Sequence, residues 1–338
     1  VNRNILNGIV FFAAFGLAAI LVSLSEKSSV GSDAQGLRMN PNIVDVTNNQ
    51  DASHPRPEVR DASGGVTPAK AYQRIASTSL IADAVLPHLV ATERIIMVTE
   101  SHRRNHPKAF QTEHAATFPY NGRLEDIVPF QPDLILVSNA TADVSRIERA
   151  RELGYAIVDL GPMIGVRSLR RHIELLGDVV QQPERAQRLW QQWSGRFERI
   201  ADDVTQRPRA VYVSAYNGVL YGGTAGSSYH DVLQAAGFED VAAGVFPGQG
   251  WPQLSVEWLL RTQPDVVLTT DRGRAALDTL PGMQQLVAFQ NPGGVITAPA
   301  ALLGDPGLLM LDAAELVHQR YFHRTEQKNV INAVGTNE

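Results

Sequence analysis

Residues Glu125 to Ser138 read EDIVPFQPDLILVS, and residues Glu257 to Thr270 read EWLLRTQPDVVLTT. Both copies open with Glu, carry aliphatics at the third and fourth positions, reach Gln-Pro-Asp at the same step and finish in an apolar, β-branched run. A match held in one register requires the same local unit twice, hence two lobes built alike. Gln-Pro-Asp stops a helix and starts a strand, because the residue before a proline is pushed out of the α region. The apolar runs after it do not alternate with polar residues, so each predicts a strand buried on both faces.

The surroundings of the two copies agree with that. In the first half the pattern predicts a strand at Arg74–Thr78, a helix at Ser79–Leu89, a strand at Arg94–Thr99 and a helix at Leu124–Pro129. The repeat strand, a helix at Val144–Leu153 and a strand at Ala156–Leu160 complete it. The second half predicts a strand at Ala210–Tyr216, a helix at Ser228–Gly237, a helix at Val256–Arg261 and a strand at Asp265–Thr270. A strand near GVITA and a helix at Gly307–Tyr321 close it. Strands alternating with helices imply α/β lobes with short, mostly parallel sheets and ligands at the carboxyl ends of the strands. Between the halves, apolar residues at Ala186, Leu189, Trp190, Trp193, Phe197, Ile200 and Val204 keep helical spacing. They predict a long helix that opens at Pro183 and limits hinge motion.

The chain is 338 residues long and 44% hydrophobic, enough for two lobes, and its formal charge of −5 offers no basic field for nucleic acid. The absence of cysteine excludes disulfides, thiolate metal sites and a cysteine nucleophile. Residues 1–25 contain an apolar run from Ile5 to Leu24, long enough to span a bilayer core. It reads as an uncleaved anchor or as a cleaved signal, and both export the rest of the chain. Residues 26–72 are rich in Ser, Asn, Asp, Gly and Pro without periodicity, which predicts a disordered linker. The lobes occupy 73–165 and 208–322, the helical connection 166–207, and a polar tail 323–338.

The motifs RLEDIVPFQPDLILVS and GWPQLSVEWLLRTQPDVVLTT, in order within residues 73–322, resemble the iron-chelate, haem and cobalamin class of periplasmic substrate-binding proteins of ABC importers. The resemblance implies the class III fold, two Rossmann-like lobes joined by a long helix. It implies no catalysis and no intrinsic cofactor. The expected ligand is an iron chelate, haem or cobalamin held between the lobes of a monomer. The expected partner is an inner-membrane permease with its cytoplasmic ATPase, and the expected location is the periplasm, with a tether through the N-terminal segment.

The same resemblance assigns roles. Glu125 and Glu257 match the glutamates that dock into arginine pockets of the permease; each also suits the positive end of its short helix. His102 falls where the family lines the ligand cleft with an aromatic residue, with Arg103 and Arg104 placed to pair with ligand carboxylates. Tyr120 stands near the position of an iron-ligating tyrosine in haem binders, although its spacing to Glu125 differs. Trp251, six before Glu257, matches an aromatic that packs against cobalamin, while the corresponding place in the first lobe holds Pro119. Tyr216 and Tyr221 flank the turn Asn217-Gly218 and are expected to face the cleft. His102, His106 and His114 leave open a zinc or manganese receptor of related architecture, without visible partner carboxylates. The segment Tyr221–Asp231 lacks the lysine of a phosphate loop, which weakens the alternative of a two-lobed group-transfer enzyme. A tethered scaffold without a ligand is the remaining alternative.

Overall fold

The computed structural model describes residues 57–105, 112–138, 144–245 and 251–323. It begins with an element that composition hides. Strands β1 (Glu58–Arg60) and β2 (Val66–Pro68) form an antiparallel hairpin. Its centre is the buried carboxylate of Asp61, which accepts from the backbone N–H groups of Ser63, Gly65 and Asp159 and pairs with Arg151. The hydroxyl of Thr67 donates to the Ile157 carbonyl at 2.9 Å. Residues 57–72 of the expected linker are therefore ordered against the first lobe. A hydrogen-bonded carboxylate and three apolar anchors at irregular spacing, Val59, Ala69 and Tyr72, organise them, which is why periodicity missed them. The rest of that stretch and the N-terminal segment lie outside the described residues; among the described residues no helix is long and apolar enough to cross a membrane.

The first lobe adds β3 (Ile75–Ser77), α1 (Leu80–Leu89), β4 (Ile95–Thr99), α2 (Glu100–Asn105), β5 (Ala116–Phe118), β6 (Leu134–Val137), α3 (Val144–Glu152) and β7 (Ile157–Asp159). The five strands β3 to β7 form one parallel sheet in the order β5-β4-β3-β6-β7. The β6 run divides between two faces: Leu134 and Leu136 enter the main core, whereas Ile135 and Val137 pack with Ile127 and Ile147 in an outer one. A strand covered on both sides needs apolar residues in succession.

The connection between lobes is a pair of helices, α4 (Val166–Val179) and α5 (Pro183–Phe197), rather than one rod. Gln181, with φ of 59°, and Pro183 at the helix start break the chain between them. Gly177 lets the two helices meet, since a Cβ there would lie 2.3 Å from the Cβ of Ala186. Both helices join both lobes. At its second-lobe end α4 gives the Val166 N–H to Asp231 at 2.7 Å; α5 receives the first lobe through Arg185, which donates to the Leu89 carbonyl. Farther along, the Trp193 indole donates to the Leu308 carbonyl at 2.8 Å.

The second lobe contains β8 (Arg209–Tyr212), β9 (Ser214–Tyr216), β10 (Val219–Tyr221), α6 (Ser228–Ala235), β11 (Glu239–Asp240), β12 (Gln253–Leu254), α7 (Val256–Thr262) and β13 (Val266–Thr269). It ends with α8 (Asp271–Asp278), α9 (Val287–Gln290), β14 (Val295–Thr297), α10 (Ala300–Leu303) and α11 (Met310–His318). A parallel sheet runs β11-β8-β13-β14 beside an antiparallel ribbon β12-β10-β9. The single strand expected over 210–216 thus breaks after Tyr212 and changes sheet. One core cluster runs from Ile75 and Leu86 through Leu169, Trp193 and Phe197 to Leu233 and Val317, joining both lobes through the bridge.

Candidate functional site

The repeat closes each lobe with the same clamp. In the first copy the Asp133 carboxylate accepts from the N–H groups of Gln73 and Arg74, and the Arg74 guanidinium donates to the carbonyls of Phe130 and Gln131. In the second, Asp265 accepts from the Arg209 N–H at 2.9 Å, and Arg209 donates to the carbonyls of Thr262 and Gln263. Gln131 and Gln263 both turn left-handed, with φ of 49° and 45°. Each clamp fixes the end of a short helical segment whose first turn carries an exposed glutamate, Glu125 or Glu257. The two segments differ in kind. Residues 256–262 are α-helical with Ser255 as cap, but the helix expected over 124–129 is two 3-10 turns, Leu124–Asp126 and Val128–Phe130. Pro129 has no N–H to give the Glu125 carbonyl, so the α-helical bond there cannot form.

At the carboxyl edge of the first sheet the expected ligand residues separate. Arg104 pairs with Glu100 at 2.5 Å, and the other Glu100 oxygen accepts the Tyr120 N–H at 3.3 Å, so these three stand together. Tyr120 is 38% exposed, and partial burial pushes its phenol up. Arg103 turns away: its guanidinium donates to the carbonyls of Thr112 and Ala115, holding the next loop rather than a ligand carboxylate. His102 is buried, its N–H bonded to the Thr99 hydroxyl. His106 lies outside the described residues, and His114 Nε2 sits 3.0 Å from the Thr92 carbonyl. Among the described residues no group of three metal-ligating side chains forms.

Beneath α2 lies a feature the sequence did not signal. The buried Asp83 accepts from the Thr99 N–H at 2.9 Å and hydroxyl at 2.6 Å, tying α1 to the end of β4. Burial pushes its carboxyl up to about 7, and the charge of Asp305 adds to the shift. Asp305 belongs to the second lobe, is itself raised to about 6 by burial, and accepts the Gly307 N–H. A cavity of about 630 Å³ runs beside them, lined by His88 and His102 of the first lobe, Trp193 and Arg199 of the bridge, and Asp305 and Asp312 of the second. It includes none of the tyrosines or Trp251.

Three aromatic residues of the second lobe, Tyr212, Tyr229 and Trp251, converge instead. Asn217 and Gly218, with φ of 49° and 78°, close the β9–β10 hairpin. Cross-strand partners and residues two apart share a face. Tyr216, Tyr221, Ser214 and Gln253 therefore lie on one side of the ribbon, while Ala215, Leu220 and Leu254 pack into the outer core on the other. Tyr212 and Tyr229 stack with centroids 3.7 Å apart, and Trp251 stands edge-on to them at 6.3 and 4.9 Å. The sequence singled out Trp251, Tyr216 and Tyr221 as expected ligand contacts; it did not single out Tyr212 or Tyr229, which occupy ordinary strand and helix positions and pack against Trp251. His230, beside Tyr229, pairs with Asp240 at 2.9 Å, and that bond raises its pKa.

A family model described as periplasmic binding protein matches residues 75–298. A cobalamin-binding protein of Halobacterium salinarum is 26% identical over 155 residues, 45% of this chain and 41% of the relative, so the match spans less than half the relative's length. Among solved structures, the periplasmic haem-binding protein RhuT from Roseiflexus sp. RS-1 superposes with a TM-score of 0.64 at 19% identity, over 74% of this chain and 98% of that one. The ABC-type Fe3+-hydroxamate transport system structure from Saccharomonospora viridis gives a TM-score of 0.61 at 20% identity, over 79% and 99%. At these identities the likeness is one of fold.

Proposed function

The chain belongs to the periplasmic binding protein family, and from that premise we propose that it is the substrate-binding component of an ABC importer. It takes an iron chelate, haem or cobalamin between its lobes and delivers it to an inner-membrane permease coupled to a cytoplasmic ATPase. It acts as a receptor and catalyses no reaction. The family places it in the periplasm; the apolar segment Ile5–Leu24 is read as its tether.

One observation carries the reading: each lobe presents an exposed glutamate in the same place, ahead of the same aspartate–arginine clamp. The dipole of a short helix rewards an acidic residue there by only about 0.3–1 kcal/mol. That reward does not require the same choice in both lobes. A permease with two matching basic pockets does. In support, the similar proteins include binding proteins for haem and cobalamin.

The test reverses the charges. Like charges brought together across an interface cost several kcal/mol, so Glu125→Arg or Glu257→Arg should each cripple uptake in cells. Ligand affinity and melting temperature of the purified variants should stay near those of the parent. Uptake that survives the double reversal would remove the docking role.

A further inference from the structure

Trp251 lies in irregular chain just before β12, yet its ring has a defined seat. The seat is the stacked pair of Tyr212 and Tyr229, inclined by only 10° to one another and each 5% exposed. Regular elements hold both rings. Tyr212 is the last residue of the central strand β8, and Tyr229 is in the first turn of α6, which Ser227 caps. Burial pushes both phenols up. On this base Trp251 stands at 80° to Tyr229 and 81° to Tyr212, the perpendicular contact that the aromatic quadrupole favours. It remains 38% exposed.

We propose that Tyr229, backed by Tyr212, is a positioning residue that fixes the plane of the Trp251 indole and so favours ligands with a flat conjugated face, a porphyrin or corrin, over ferric chelates wrapped in aliphatic hydroxamate arms. The inference rests on the receptor reading and deepens it. A flat macrocycle gains stacking area only if the indole already stands in the right plane. An unseated indole loses its freedom on binding, and that ordering weakens affinity. A hydroxamate shell presents no extended π-face and is indifferent to the angle.

The test combines a ligand-free and a ligand-bound measurement on the exported chain. Near-ultraviolet circular dichroism, as wild type minus Trp251→Phe, isolates the signal of the fixed indole. Tyr229→Leu should abolish most of that difference signal and Tyr229→Phe should retain it, urea midpoints showing that both variants are folded. Titrations with haem, cyanocobalamin and a ferric trihydroxamate then report on selection. Loss of one aromatic contact predicts macrocycle affinity about tenfold weaker in Tyr229→Leu, with hydroxamate affinity within about twofold of wild type. In a Trp251→Ala background, Tyr229→Leu should add nothing further. An unchanged dichroism signal in Tyr229→Leu, or an equal loss of macrocycle affinity with and without Trp251, overturns the positioning role. If wild type binds none of the three compounds, the receptor reading and the selection claim fall together, while the dichroism still decides whether Tyr229 seats the indole.

Discussion

Asp83 couples the first lobe to pH. Burial raises its carboxyl to about 7 from an ordinary 3.8, so the folded protein keeps a proton that the unfolded chain releases. The stability this gives is fully present below pH 3.8 and is lost as pH rises through about 7. Asp305, raised to about 6, acts in the same direction. Urea denaturation should therefore find the protein less stable at pH 8 than at pH 5, by roughly 2–3 kcal/mol from Asp83. Asp83→Asn, which keeps an acceptor for Thr99, should remove most of that slope. An unchanged slope would show that Asp83 titrates normally. Residues of this kind are hard to read in a sequence, because an aspartate in the apolar helix IADAVL carries no mark of the Thr99 hydroxyl it meets. Repetition singled out Glu125 and Glu257, and the structure leaves both exposed in the first turn of a short helical segment. Trp251 was singled out by the family resemblance, but the tyrosines that seat it come from a strand and a helix well separated in sequence. Nothing local to Arg103 showed that one of its guanidinium nitrogens would donate to the Thr112 and Ala115 carbonyls.

Among elements, the repeat was read as a helix stop and strand start, and its clamp completes that reading with two arginines, Arg74 and Arg209, that the pattern did not connect to it. Each clamp requires a glutamine in the left-handed region, where glycine is the unstrained choice. The side chains explain one of them. Gln263 accepts the Val287 N–H at 2.9 Å, whereas Gln131 makes no side-chain bond to the described residues. Gln131→Gly should thus be neutral or stabilising by up to about 1 kcal/mol, the usual gain at a helix C-terminus. Gln263→Gly should fall about 1 kcal/mol short of that, the net worth of one hydrogen bond. Urea midpoints decide it; equal effects at the two sites would mean that the Gln263 bond contributes nothing. Buried strands such as β6 and β13 were visible as apolar runs because both faces are covered. The β1–β2 hairpin was not, since a polar segment can be organised by one buried carboxylate and irregularly spaced apolar anchors without changing its composition.

Among the described residues the largest apolar core passes from lobe to lobe through α4 and α5, with a smaller outer core in each lobe. A bridge packed in this way favours small adjustments of the lobes over a wide swing, as expected from a helical connection, although two helices share the work that one was expected to do. Its two ends are pinned by the Asp231 contact with Val166 and the Trp193 contact with Leu308. Such a body suits the proposed capture and presentation, in which Glu125 and Glu257 are the proposed permease contacts and Trp251 the proposed ligand contact. Equilibrium titration of residues 57–323 with haem, cyanocobalamin and ferric siderophores, followed by absorbance and tryptophan fluorescence, decides whether the protein is a chelate receptor. The account predicts saturable binding of one of these compounds, with tryptophan quenching that is lost in Trp251→Ala and affinity weakened by about 1–3 kcal/mol, as for a buried aromatic anchor. Absence of saturable binding by every compound in the panel, with the protein folded, would contradict it.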